Sequence, residues 1–231
     1  MNQFKHQGKL VLFITLAMTS QALAQGGDRI KPTWSGPPLS ELFELLREDA
    51  KTPRAKPTTA GLSVVQFEPK GDSGVTQSLA EALGRSPQEI ASLKDAFGQV
   101  KQGYEQEVAK EGKSNNLAAA LTFFIAANVM VYHQSAVSDE DSEQLFTSLQ
   151  RIIVRVPAFS EMSNDEKHKM HDWLVCMGGL AMTNYLDAKK SGDSQSMATM
   201  KQLANYSMRL VLGVDVSKLS FKSHRLLQGE Q

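Results

Sequence analysis

An all-α domain is the fold this sequence predicts, and three observations predict it. Helix-start signatures stand at Ser86-Pro87-Gln88-Glu89, Ser138-Asp139-Glu140-Asp141 and Ser163-Asn164-Asp165-Glu166, each with a capping hydroxyl and an acid three positions on. Behind them, apolar residues recur at three- and four-residue spacing, the period of a helix with one buried face. The C-terminal stretch is too poor in strand signals to supply a parallel sheet. The expected architecture is a single orthogonal or bundle-like domain of five to six helices around a central apolar helix at about 116–134. It spans residues 61–221, behind an N-terminal signal and tether. A content of 41% hydrophobic and 22% charged residues suits a chain that folds.

Residues 1–24 read as an address. Two lysines, Lys5 and Lys9, precede the apolar run Leu10–Met18, which is too short to span a bilayer. Ala22-Leu23-Ala24 then places small side chains where a signal peptidase needs them, so the exported form is expected to begin at Gln25. Losing the two lysines takes a balance of 25 basic and 25 acidic side chains to a net charge of about −2. No basic excess is left to grip nucleic acid nonspecifically. After cleavage no integral membrane span is expected, and the location is periplasmic or secreted. The lone cysteine, Cys176, cannot form an intrachain disulfide, and its neighbours Leu174, Val175 and Met177 point to burial.

Residues 25–60 form a tether carrying one short amphipathic helix at 39–50. Leu39, Leu42, Phe43, Leu45 and Leu46 make its apolar side, and Glu41, Glu44, Glu48 and Asp49 lie opposite. Such a stripe either docks on its own domain or reaches into a partner's hydrophobic groove, with Leu42, Phe43 and Leu46 as partner-binding candidates. Residues 51–60 are a proline- and lysine-bearing linker, and Leu62–Phe67 is β-branched enough to be extended. From Ser86 the stripe Ile90, Leu93, Phe97, Val100, Tyr104 and Val108 runs to Gly112, the terminator. Asn115-Asn116 open Leu117–Tyr132, a segment apolar nearly all round and therefore centrally buried. The helix begun at Ser138 carries Leu145, Phe146, Leu149, Ile152, Ile153 and Val156 and is closed by Pro157. The helix begun at Ser163 runs to about Lys190, with Gly192 as its stop, and a last helix covers about Ser194–Leu212. Val214–Phe221 reads as extended, and residues 222–231 as a loose tail. Gly178-Gly179 in a helix interior costs about 1 kcal/mol per glycine, so close backbone approach to the alanine-rich helix (Ala118, Ala119, Ala126, Ala127) is expected.

The stretches FEPKGDSGVTQSLAEALGRSPQE (67–89), NNLAAALTFFIAANVMVYHQ (115–134), LVCMGGLAMTNYLDAKKSGD (174–193) and LANYSMRLVLGVDVSKLSF (203–221) stand in that order. Together they resemble an uncharacterised family of exported bacterial helical proteins, a domain of unknown function, over about Phe67–Phe221. The resemblance implies export and a helical fold, and it brings no catalytic residue with it.

The chemistry-bearing motifs are few. His168, His171 and Asp172 share a helical face in a pattern that could suit zinc, but the order is not H-E-x-x-H. With Met170, Trp173, Leu174 and Met177 marking the inward side, the two histidines are expected to face solvent, and no metal or cofactor is expected. Gly112-Lys113-Ser114 lacks the glycine and the strand that a phosphate loop requires, since position 107 is Glu107. Glu105 and Glu107 are two apart and do not face each other on a helix. Asn128 and His133 are the candidates for polar work in the interior, Asn128 as a buried hydrogen-bonding group or as part of a pocket. No catalytic residue is assigned. The expected role is an exported, non-enzymatic helical protein that binds another macromolecule, an unknown protein or envelope component. The alternative is a cell-envelope hydrolase with dispersed acidic residues.

Overall fold

The computed structural model describes residues 30–32, 39–49, 63–222 and 225–228. The signal, the 51–60 linker and most of the tether lie outside these residues. Helix α1 (Ser40–Asp49) is followed by a helical turn at 63–65, then by α2 (Val75–Leu83) and α3 (Pro87–Ala109). After these come α4 (Leu117–His133), α5 (Asp139–Ile153) and the short α6 (Pro157–Glu161). Helix α7 (Asn164–Ser191) and α8 (Ser194–Leu212) complete the helices. A 3₁₀ turn (Val216–Lys218) leads into a two-stranded antiparallel hairpin, β1 (Leu219–Lys222) with β2 (Arg225–Gln228). The all-α class is the observed one. No helix among the described residues is long and apolar enough to cross a membrane.

The caps act as their residue types dictate. Ser138 and Ser163 accept from the backbone N–H groups of Asp141 and Glu166, whose carboxylates answer the cap residue's own N–H. Ser86 likewise accepts from Glu89 N–H, but the Glu89 carboxylate reaches one residue further back, to Arg85 N–H. Asn116 satisfies the N–H groups of Ala118 and Ala119, and Asp193 those of Gln195 and Ser196. Gly192 and Gly213 end α7 and α8 in the left-handed region, which only glycine adopts cheaply.

Helices α4 and α7 pack along each other at the centre, with α8 against both, α3 on α7 and α5 on α4. That arrangement explains why α4 needs no polar face. The glycine pair serves two seams. A Cβ on Gly178 would stand 3.2 Å from the Cα of Phe124 in α4, and one on Gly179 would stand 2.2 Å from Val100 Cγ1 in α3. Close approach to the apolar helix thus accounts for Gly178, and close approach to α3 for Gly179.

Four expectations are corrected here. Pro157 does not close a helix; α5 has ended at Ile153, and Pro157 opens α6, where its missing N–H is no loss. The segment before Phe67 is a helical turn at 63–65, not a strand, and extended pairing is limited to a single bridge between Gln66 and Asn116. The tail is not loose throughout: residues 225–228 pair with β1, and Leu226 is buried. Within the tether, Ile30 is buried in the core, and the carbonyl of Lys31 accepts from Trp173 Nε1 at 3.2 Å.

Candidate functional site

The helix at 39–50 holds the partner-binding candidates, and its position decides what they can reach. Leu42, Phe43 and Leu46 are all buried, because α1 packs on α5, α8 and β2. Arg151 of α5 fastens it, donating from Nε to Asp49 Oδ1 at 3.1 Å and from Nη2 to the second carboxylate oxygen. Asp49, placed by periodicity on the solvent side, is thus spent on that ion pair. Of the two ways to cover the stripe, the chain's own domain does it here.

Asn128 is fully buried on α4. Its amide donates to the Phe124 carbonyl at 2.7 Å, and its oxygen accepts from Ser207 Oγ of α8 at 3.0 Å. His133, five residues on and expected in the interior, is exposed, with Nε2 3.1 Å from the Val216 carbonyl. The two residues do not share a site. One bonds α4 to α8, and the other ties the end of α4 to the 3₁₀ turn.

Chemically distinctive groups converge elsewhere, at the first turns of α7. His168, His171 and Asp172, expected on a solvated face, are buried at 7%, 2% and 1% exposure. The reason is that α3 and the segment around 67–75 cover that face, an arrangement periodicity within one helix cannot reveal. Phe67 stacks on His168 with ring centroids 5.6 Å apart and meets His171 edge-on at 5.1 Å. From α3, Tyr104 packs against both His171 and Phe123.

Asp172 is the hub. It accepts from Ser73 Oγ at 2.5 Å and from Lys101 Nζ; His171 Nδ1 lies 3.0 Å from its Oδ1 and His168 Nε2 3.3 Å from its Oδ2. Burial alone would raise the Asp172 pKa. Hydrogen bonds from His171, Lys101 and Ser73, with the charge of Lys101, override that and hold it at about 2. His171 shows the same contest in reverse. Burial disfavours its charged form, but the Asp172 and Glu105 carboxylates beside it raise its pKa above the ordinary value. Its Nε2 stands 3.0 Å from Glu105 Oε1, at ion-pair distance but without the alignment of a hydrogen bond. His168 goes the other way, lowered chiefly by burial although Asp172 pulls it up. Tyr104, its hydroxyl buried without a hydrogen-bond partner, is raised by burial and by the charge of Glu105.

The sequence does not single out Lys101 or Ser73, and it shows Tyr104 only as part of an apolar stripe and Glu105 only as a neighbour of Glu107. A signal existed for two of them: Lys101 and Glu105 sit one position past Val100 and Tyr104, so they flank the apolar stripe of α3 four residues apart. Ser73 left none, because its partner is 99 positions away.

Chemically, this arrangement fastens. Asp172 is held ionised by the groups that bond it, so it is a poor base, and Ser73 gives its proton to that carboxylate rather than to an imidazole. Cys176 is fully buried, and burial drives its thiol far above the ordinary range. Among the described residues no group of three or more His, Cys, Asp or Glu is placed to hold a metal ion.

A family model described as a family of unknown function, DUF6683, matches residues 43–227. No curated protein and no solved structure matches the chain.

Proposed function

We propose, for a chain that belongs to DUF6683, a family of unknown function, that it is an exported, non-enzymatic protein acting by binding another macromolecule of the envelope or its surroundings. The observation that carries this reading is the internal neutralisation of the cluster at α3 and α7. Its acids face Lys101 and the imidazoles, and its bonds to Lys101, Ser73 and Glu105 run from one structural element to another. Such a cluster holds helices together and offers no free base or nucleophile. Asp172 and Glu105 are bridged by the His171 imidazole, so this cluster does not present a bare carboxylate pair of the kind glycoside hydrolysis uses.

Among the described residues, the surface open to such a partner is mostly polar. Leu186 is the large apolar side chain exposed among the described residues, and it stands alone, which is ordinary for a protein surface. Export rests on the Lys5-to-Ala24 signal pattern. Two measurements test the reading. Intact-mass analysis of the exported chain should find Gln25 as its first residue, and a retained 1–24 segment refutes export by cleavage. A crosslinked pull-down with the mature chain from envelope fractions should enrich one discrete partner over a denatured-bait control, and high salt should weaken the capture. No enriched species, or hydrolysis of envelope glycans by the purified chain, refutes the binding role.

A further inference from the structure

We propose that His171 is a pH-sensitive clasp: its protonated imidazole ties α7 to α3 through Glu105, and the seam loosens when the proton leaves. The geometry carries this. Nδ1 lies 3.0 Å from Asp172 Oδ1 and Nε2 lies 3.0 Å from Glu105 Oε1. A neutral imidazole has one N–H and one lone pair, so in that form one nitrogen must turn a lone pair toward a carboxylate. Only the imidazolium suits both oxygens at once. Neither Nε2 nor Glu105 Oε1 has a hydrogen-bond partner, so Coulomb attraction between them is what joins the two helices at this point.

The surrounding groups decide which of the two bridges gives way. From α3 the imidazole faces Lys101, Tyr104 and Glu105. From α7 it faces His168 and Asp172, with Asp165 acting on His168, and the 67–75 segment contributes the Phe67 ring and the Ser73 hydroxyl. Asp172 keeps Lys101 and Ser73 in either state of His171, so it stays anchored. Glu105 depends on the imidazolium. Deprotonation therefore releases the bridge between α3 and α7.

The two histidines work in separate pH windows. His171 binds its proton more tightly when folded, so its stabilisation is complete below the ordinary value of 6.5 and is lost as pH rises through its raised folded value. His168 binds its proton less tightly when folded, so it disfavours the fold only as pH falls below 6.5. Tyr104 and Cys176, both pushed up by burial, stay neutral in the folded chain, and below pH 8 they are neutral in the unfolded chain as well, so neither contributes a pH slope between 6.5 and 8.

The test uses the full chain. Urea midpoints are measured from pH 6.5 to 8, below the ionisation of the unfolded Cys176 thiol, for wild type, His171→Gln and Glu105→Gln, with the His171 ring proton followed by NMR. The wild-type midpoint should fall across this range, with faster amide exchange at 101–109 after correction for the intrinsic rate. His171→Gln should remove that fall, and Glu105→Gln should shrink it and lower the pH at which the ring titrates. A His171→Gln slope equal to wild type, or a ring titrating at or below 6.5, overturns the clasp. If His171→Gln does not fold, Glu105→Gln decides: unchanged slope and unchanged titration overturn it.

Discussion

Replacing Gly179 with alanine probes the tightest contact between α7 and α3. The added Cβ would lie 2.2 Å from Val100 Cγ1 and 3.3 Å from its Cβ and Cγ2. Carbon atoms in contact want about 3.5–4.0 Å, so Val100 must move by more than an ångström. Rotating Val100 is costly, because a β-branched side chain in a helix has one strongly preferred rotamer, and its Cβ already stands at 3.3 Å. Two terms compete. Alanine removes the helix-interior penalty of glycine, about 1 kcal/mol in its favour. Overpacking costs roughly 1–3 kcal/mol, and a clash this short belongs at the upper end. The net expectation is destabilisation by about 2 kcal/mol, or a fall in Tm of roughly 4–8 °C for a chain of this size. Thermal unfolding followed by circular dichroism measures it. Val100→Ala should rescue the variant, giving a double-mutant coupling of more than about 1 kcal/mol. A Gly179→Ala protein as stable as wild type, or more stable, would refute the close seam. Gly178→Ala is the contrasting case, since it meets both the Phe124 Cα at 3.2 Å and the Phe123 ring at 3.3 Å, so trimming Phe123 should rescue it only in part.

Leu42→Asp with Phe43→Asp should destabilise the domain by several kcal/mol, since each side chain is buried and full burial is worth roughly 1.5–3 kcal/mol; an unchanged Tm would mean α1 does not dock where the structure places it. Asp172→Ala leaves the buried His171 and the half-buried Lys101 beside a missing partner and should cost about 3 kcal/mol in urea unfolding. Because the folded-state value of Asp172 lies below its ordinary 3.8, its stabilisation is present above that pH and disappears as pH falls toward about 2. An acid-unfolding curve of Asp172→Asn that matches wild type would contradict this. Cys176 should resist thiol reagents in the native protein and react at full stoichiometry in denaturant; rapid native labelling would show that the core opens there.

Much of this fold is written locally. Ser138, Ser163 and Asn116 place helix starts through hydrogen bonds that close within a few residues, so the chain alone reveals them. The all-round apolarity of Leu117–Tyr132 requires neighbours on every side, and Gly178-Gly179 requires a close approach, whatever those neighbours turn out to be. Pro157 misled because proline ends one helix and begins another equally well, and only the 3₁₀-like exit at Val154 to Val156 separates the two uses. The stripe on Leu39–Leu46 demands cover, but its residues are the same whether a partner or α5 supplies it.

Which segments are helical, where most of them begin and stop, and which faces must be dry can be read along the chain, because those properties rest on interactions closing within one or two turns. That the face of α7 bearing His168, His171 and Asp172 is interior emerges only once α3 and the 67–75 segment are packed against it. Its partners Lys101, Glu105 and Ser73 lie 66 to 99 positions away, and charged residues carry no mark of burial until an opposite charge from another helix is brought beside them.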